Sequence, residues 1–208
     1  MVKAMNYKWI FLVALAYAST VLAHPHSFID IQTRTLGDSH LSGLQMRWEM
    51  DEVTSADLLY DAGSAPEGDA VWQKLAQEVM QTISLQHYFT SLWYDQKPVR
   101  LLAVGGSGKL YKIGHKAVLS FTLAPASPLE LAGHTFRLQT YDPTYYVDMS
   151  WQKDSDVTWP ANCDVKVKTP SPGAEIQAYA LSLDNQSAPD EDLALGEHFA
   201  QKVEVVCH

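Results

Sequence analysis

Cysteine is scarce in this chain of 208 residues, and positive charge is thin. The two cysteines, Cys163 and Cys207, leave no Cys-x-x-C for a redox centre or a zinc knuckle. His-Glu-x-x-His and Gly-x-Ser-x-Gly are missing as well, so the chemistry of a zincin or an α/β-hydrolase is not encoded. Gly105-Gly106-Ser107-Gly108-Lys109 resembles a phosphate loop, but that motif needs glycine where Ala103 stands and Ser or Thr where Leu110 stands, so the stretch reads as a turn. Lys and Arg number 15 against 24 Asp and Glu, a net charge of −9, which excludes nucleic acid as a natural partner and favours cations or simple solubility. Beyond the first two dozen residues there is no apolar run of the roughly 18 to 20 residues that a membrane span requires. Internal repeats and low-complexity linkers are also lacking, so the length suits one domain with a sizeable core.

What is present begins with a leader. Lys3 and Lys8 form a basic start, an apolar run covers 9–22, and Val21-Leu22-Ala23 satisfies the small-residue rule for signal peptidase. Residues 1–23 therefore read as a signal peptide, and 24–208 as a single exported domain beginning His24-Pro25-His26-Ser27-Phe28-Ile29-Asp30. Cleavage frees the α-amine of His24, which can chelate a metal together with its own ring nitrogen. His26 adds an imidazole. Pro25 has no N–H to lose, so the square-planar amino-terminal mode that uses deprotonated amides is excluded. In an oxidising compartment Cys163 and Cys207 are expected to form one disulfide, tying the last strand to a loop some forty residues earlier; zinc ligation by the pair is the weaker alternative.

Periodicity predicts a strand-rich chain with one helical interruption. Strands are expected over 28–36 and 40–50, joined by a turn at Gly37-Asp38-Ser39. Trp72, Leu75, Ala76, Val79, Met80 and Ile83 then fall on one face of a helix with Asp69 as N-cap, and a shorter helix is expected over 55–60. His87 continues the apolar face of the long helix and reads as a core histidine. Strands resume over 88–94, 99–104, 109–113, 118–123, 135–141, 145–151, 164–168 and 203–207, with a further helix over 188–200. The expected fold is α+β and mainly antiparallel, sandwich-like, with a helical insertion between the second and third strands.

Among the acids, Glu49, Asp51 and Glu52 are candidate oxygen ligands or a solvated strand end, and Asp142, before Pro143, is a ligand candidate or the cap of its own turn. His134 lies at a strand start. The amino-terminal His-Pro-His-x-Phe-Ile-Asp, Trp48-Glu49-Met50-Asp51-Glu52, Tyr88-Phe89-Thr90, the turn Asp142-Pro143-Thr144-Tyr145-Tyr146, and Phe199-Ala200 before Val203-Glu204-Val205-Val206-Cys207 together resemble the ZevA-like family. The resemblance implies a periplasmic accessory of metal transport and, as partner, an inner-membrane permease of the nickel/cobalt-efflux type implicated in zinc uptake. The expected role is then binding of a divalent transition metal without turnover, not an enzymatic one. The metal is zinc, with copper, nickel or cobalt as alternatives. His24 and His26 supply nitrogens, and Asp30, Asp142 or a further histidine such as His134 completes the shell.

Two other readings stand beside this one. A histidine-brace copper protein or copper enzyme would also start with histidine, and a metal-free scaffold for a transporter would draw on the six tryptophans and ten tyrosines. Every metal reading through His24 depends on processing. Intact-mass measurement on exported material is expected to fit a chain that starts at His24 and is two mass units lighter than its reduced form. A start at Met1 would remove the chelate.

Overall fold

Alternation sets the first strand. Along β1 (Ser27–Leu36), Ser27, Ile29, Ile31 and Thr33 are buried while Phe28, Gln32 and Arg34 face outward, the period-two pattern of a sheet with one covered face. The structure, a computed structural model, describes residues 25–183 and 194–208. The expected leader, His24 and residues 188–193 of the helix expected over 188–200 lie outside the described residues. The turn after β1 needs Gly37, at φ 96°, because a Cβ there would meet the carbonyl oxygen of His40 at 2.1 Å. The next expected strand is split at Ser42 into β2 (His40–Leu41) and β3 (Gly43–Met50).

The helical insertion follows. Asp51 caps α1 (Glu52–Ala62) by accepting from the Thr54 N–H, and Asp69 caps α2 (Ala70–Ser84) by accepting from the Val71 N–H. Helix α2 buries Trp72, Leu75, Ala76 and Ile83 on the predicted face. It ends one turn earlier than the apolar pattern suggests. His87, Tyr88 and Phe89 then take φ of 50°, 57° and 51°, three consecutive left-handed residues without a glycine. His87 is consequently exposed, not a core histidine, because the left-handed turn carries it off the helix face. Such a conformation costs roughly 1–2 kcal/mol per residue. It is offset in part by hydrogen bonds from Thr90 Oγ1 to the Tyr88 carbonyl, at 2.8 Å, and from the Tyr141 N–H to the Phe89 carbonyl, at 2.9 Å.

The remaining elements are β4 (Thr90–Tyr94), β5 (Lys97–Val99), β6 (Leu101–Ala103), β7 (Lys109–Ile113), β8 (Lys116–Pro125), β9 (Leu129–Glu130), β10 (Thr135–Thr140), β11 (Val147–Ser150), β12 (Val157–Thr158), β13 (Cys163–Lys168), α3 (Ala174–Ser182), α4 (Leu195–Phe199) and β14 (Lys202–Cys207). Seven strands form one sheet in the order β11-β1-β3-β8-β6, with β12 also on β1 and β7 also on β8. Five form a second, β13-β14-β10-β4-β5. The described pairings are antiparallel except those of β11 and β12 with β1. One core joins the sheets: Ile31, Met46, Trp48 and Phe121 from the first pack with Leu92, Leu138, Val203 and Val205 from the second. The fold is therefore the expected α+β sandwich, with α1 and α2 inserted between β3 and β4. No described helix is long and apolar enough to cross a membrane.

Cys163 and Cys207 form the disulfide, with Cα atoms 3.9 Å apart at directly opposed positions of β13 and β14. The bond thus joins two neighbouring strands rather than a strand and a loop. Closing a loop over a sequence separation of 44 is worth about 4 kcal/mol in the chain-entropy account. Replacing both cysteines with serine is expected to lower the free energy of urea unfolding by about 3–4 kcal/mol with native far-UV dichroism retained. A loss under about 1 kcal/mol would show that β13 and β14 hold each other without the crosslink.

Candidate functional site

Where β1 begins beside β11, the chain carries one histidine and two carboxylates. The His26 N–H donates to the Tyr146 carbonyl at 2.9 Å, and their rings lie 5.0 Å apart at 36°. The parallel register that follows, Ser27 with Val147 through Asp30 with Ser150, sets Phe28 beside Asp148 and Asp30 beside Ser150 on one face. Asp148 thus lies diagonally across from Asp30. Asp148 is half-buried. Burial, and then the charge of Asp30, hold its carboxyl above the usual range, and no described residue donates a hydrogen bond to it. Beside it a cleft of about 360 Å³ runs between β11 and a wall that includes Thr169, Pro172 and Phe199. Burial, with Asp148 second, pushes the Tyr145 phenol at the same cleft up to about 12.

Asp142 lies in the turn that leads into this edge. Its Oδ1 accepts from the Thr144 N–H at 3.0 Å, both its oxygens lie 2.9 Å from the Thr144 hydroxyl, and its Oδ2 accepts from the Val147 N–H at 3.0 Å. A buried carboxylate so engaged positions the turn that delivers Tyr146 and Asp148. The same turn holds the last helix. The Gly196 N–H donates to the Pro143 carbonyl at 2.9 Å, a Cβ on Gly196 would meet the Asp142 carbonyl oxygen at 1.8 Å, and Tyr145 stacks on Phe199 at 3.9 Å.

His134 is elsewhere. It precedes β10 while Asp142 follows it, and six residues of strand separate their ends by roughly 20 Å, so the two cannot share an ion. Its Nδ1 lies 2.6 Å from Asp95 Oδ2, and its ring lies 4.6 Å from that of Tyr94. Asp95 also accepts from the Thr135 N–H at 3.0 Å; that bond and His134 hold its carboxyl below the usual range. Asp30 accepts from Gln152 Nε2 at 2.8 Å and stands opposite Glu49.

The acidic cluster at the end of β3 has structural partners. Glu49 bonds Arg47 Nη2 at 2.9 Å and Lys116 Nζ at 3.0 Å, in that order of effect, which lowers its pKa. Asp51 accepts from the Thr54 N–H at 2.6 Å and the Phe28 N–H at 2.7 Å, which outweigh the upward push of burial and leave its pKa lowered. Among the described residues no three His, Cys, Asp or Glu side chains form a group able to hold a metal ion. Sequence reading missed Asp148. Its one signal was alternation, since it shares a face with Tyr146 on the strand predicted over 145–151; which strand would pair beside it was not readable.

The family described as "Protein of unknown function (DUF1007)" matches residues 9–207. An uncharacterized protein of Haemophilus influenzae (strain ATCC 51907 / DSM 11121 / KW20 / Rd) is 40% identical over 203 residues, covering 94% of this chain and 97% of that one. No solved structure matches.

The ion pairs of Glu49 generate a pH signature. A carboxyl with a depressed folded pKa contributes stability that is present above its unfolded value, about 4.3, and is lost as pH falls through the folded one. Glu49→Gln is expected to cost about 1 kcal/mol at pH 7, modest because the pairs are partly solvent-screened. The deficit should shrink progressively in denaturation series run below about pH 4. A deficit as large at pH 3 as at pH 7 would assign the loss to packing instead.

Proposed function

We propose that this chain, which belongs to the DUF1007 family of proteins of unknown function, is an exported protein that binds a divalent transition metal, zinc first, at its amino-terminal edge and passes it to or from a membrane permease. The observation that supports the reading is the pairing of β1 with β11, which sets Asp148 beside Phe28 and diagonally across from Asp30, with His26 held on Tyr146 just before the strand. An imidazole and a carboxylate are zinc donors, and the α-amine and ring of a mature His24 would bring the set to the four that zinc prefers. Asp148 supports the reading through its energetics. A half-buried carboxylate with no hydrogen-bond donor among the described residues is costly when charged, and a cation would make its ionised form favourable.

Resemblance to the ZevA-like family supports the partner and the compartment: a permease of the nickel/cobalt-efflux type in the inner membrane, and the periplasm. The same donors would hold Cu²⁺ more tightly than Zn²⁺ in vitro, so choice of metal in the cell rests on supply. The role needs no turnover. Release follows from protonation of the donors or from the permease offering better ones.

Three variants test the site. An extra residue before His24 converts its amine to an amide and leaves every side chain in place; His26→Ala deletes an imidazole; Asp148→Asn deletes the carboxylate charge. Each is expected to weaken zinc binding about tenfold or more in competition titrations. Because the folded pKa of Asp148 is raised, its charged form destabilises the metal-free fold above that pKa. Asp148→Asn should therefore raise the melting temperature of the apo protein at pH 7 while lowering its zinc affinity. Affinity unchanged in all three variants would sink the site.

A further inference from the structure

At the far edge of the same sheet, β6 and β7 share one side of β8, and a cleft of about 740 Å³ runs between that edge and α2. Ligand clefts have this size and this mixture of apolar wall and few polar groups. Four features of it are unusual together. First, among the described residues β7 pairs only with β8. The two-residue turn Gly114-His115 makes Ile113 and Lys116 a hydrogen-bonded pair, so alternation points the backbone N–H and C=O of Leu110 away from β8, at the edge.

Second, the strand is entered through Gly105-Gly106-Ser107-Gly108. Ser107 anchors the loop, its hydroxyl donating to the Val104 carbonyl at 2.7 Å and accepting from the Thr122 N–H at 3.0 Å. The N–H groups of Gly105, Gly106 and Gly108 donate to no described residue. A Cβ on Gly108 would meet Met80 Cγ at 2.7 Å, so glycine is what lets the loop approach α2. Third, Lys109 and Glu67 are the charged residues lining the cleft, and Lys109 stands directly after the glycines. Fourth, the left-handed turn at His87, Tyr88 and Phe89 holds Tyr88 in the cleft wall. Strain retained at such a place is a mark of function.

We infer that this cleft binds the carboxy-terminal end of a partner polypeptide as an added strand on β7, with the terminal carboxylate on the glycine N–H groups and Lys109. A peptide running antiparallel to β7 ends where β7 begins, which is the glycine loop. Its negative terminus meets a lysine and three backbone donors, and the last side chain enters the apolar wall of Trp72, Ala76, Met80 and Leu110. Gln77 and Gln81 stand one helical turn apart on the opposite wall, about 6 Å, close to the roughly 6.7 Å two-residue repeat of a strand. Their amides are suited to the backbone of an extended chain. The cleft lies across the sheet from His26 and Asp148 and is independent of metal.

The test uses the full mature chain, immobilised in the presence of a chelator. Two pools of synthetic peptides are passed over it, each a Gly-Ser spacer followed by four randomised final positions, one pool with a free carboxylate and one amidated. Mass spectrometry is expected to find enrichment from the free-acid pool alone, with an apolar last residue. The best free-acid peptide should bind at least tenfold more weakly after amidation, to Lys109→Glu, and to Gln77→Trp, which fills the cleft from an exposed helix position; both variants should melt like the parent. It should also shift the amide resonances of Gly105, Gly106, Gly108 and Leu110. Enrichment from neither pool, equal enrichment from both, or binding that both variants leave intact would overturn the assignment.

Discussion

The register of β1 is the constraint on which the rest depends. This strand pairs with β3 along most of its length and with β11 and β12 on its other side. Ile29 and Ile31 go inward to the shared core, and Thr33 goes with them because its hydroxyl accepts from Trp151 Nε1 at 3.1 Å. A slip of one residue would turn Phe28, Asp30 and Gln32 into that core, burying a carboxylate, and would expose both isoleucines. The cost fixes the register, and the register fixes which side chains meet on the outer face. Asp148 stands beside Phe28, and diagonally across from Asp30, because Ser27 pairs with Val147.

That pairing needs β11 delivered in parallel, and the delivery depends on the turn before it. Asp142 gathers the Thr144 and Val147 N–H groups, so the chain leaves β10 of the second sheet and enters β11 of the first within a few residues. Helix α4 closes over the turn through Gly196, where a side chain has no room, and through the stacking of Phe199 on Tyr145. The last strand follows directly and is tied to β13 by the disulfide. The carboxy-terminal arm therefore braces the turn that leads into β11 and walls the cleft beside Asp148.

The sequence exposed what depends on local pattern and hid what depends on pairing. Helix α2, its Asp69 cap and strand β7 were legible because side-chain period and capping chemistry are local. Both ends of the disulfide were legible because only two cysteines exist. The end of α2 was misread at His87, where the apolar face continues in sequence but the backbone turns left-handed; no glycine or proline marks the change. The split of the residues 99–104 into β5 and β6, which belong to different sheets, was also hidden. A strand's sheet is set by partners distant in sequence, which periodicity does not report. Asp148 escaped notice for the same reason.

The distribution of acidic groups connects these points. The carboxylates that the sequence displays most openly, Glu49, Asp51 and Asp142, are consumed by an ion-pair cluster, a helix cap and a turn. Each lies where an acid lowers the free energy of the fold, and each accepts enough donors to leave little lone-pair capacity. Asp148 differs in kind. Burial and the charge of Asp30 raise its pKa, and no described residue donates a hydrogen bond to it. A half-buried carboxylate at a sheet edge whose charge the described structure does not stabilise is where binding chemistry is to be sought.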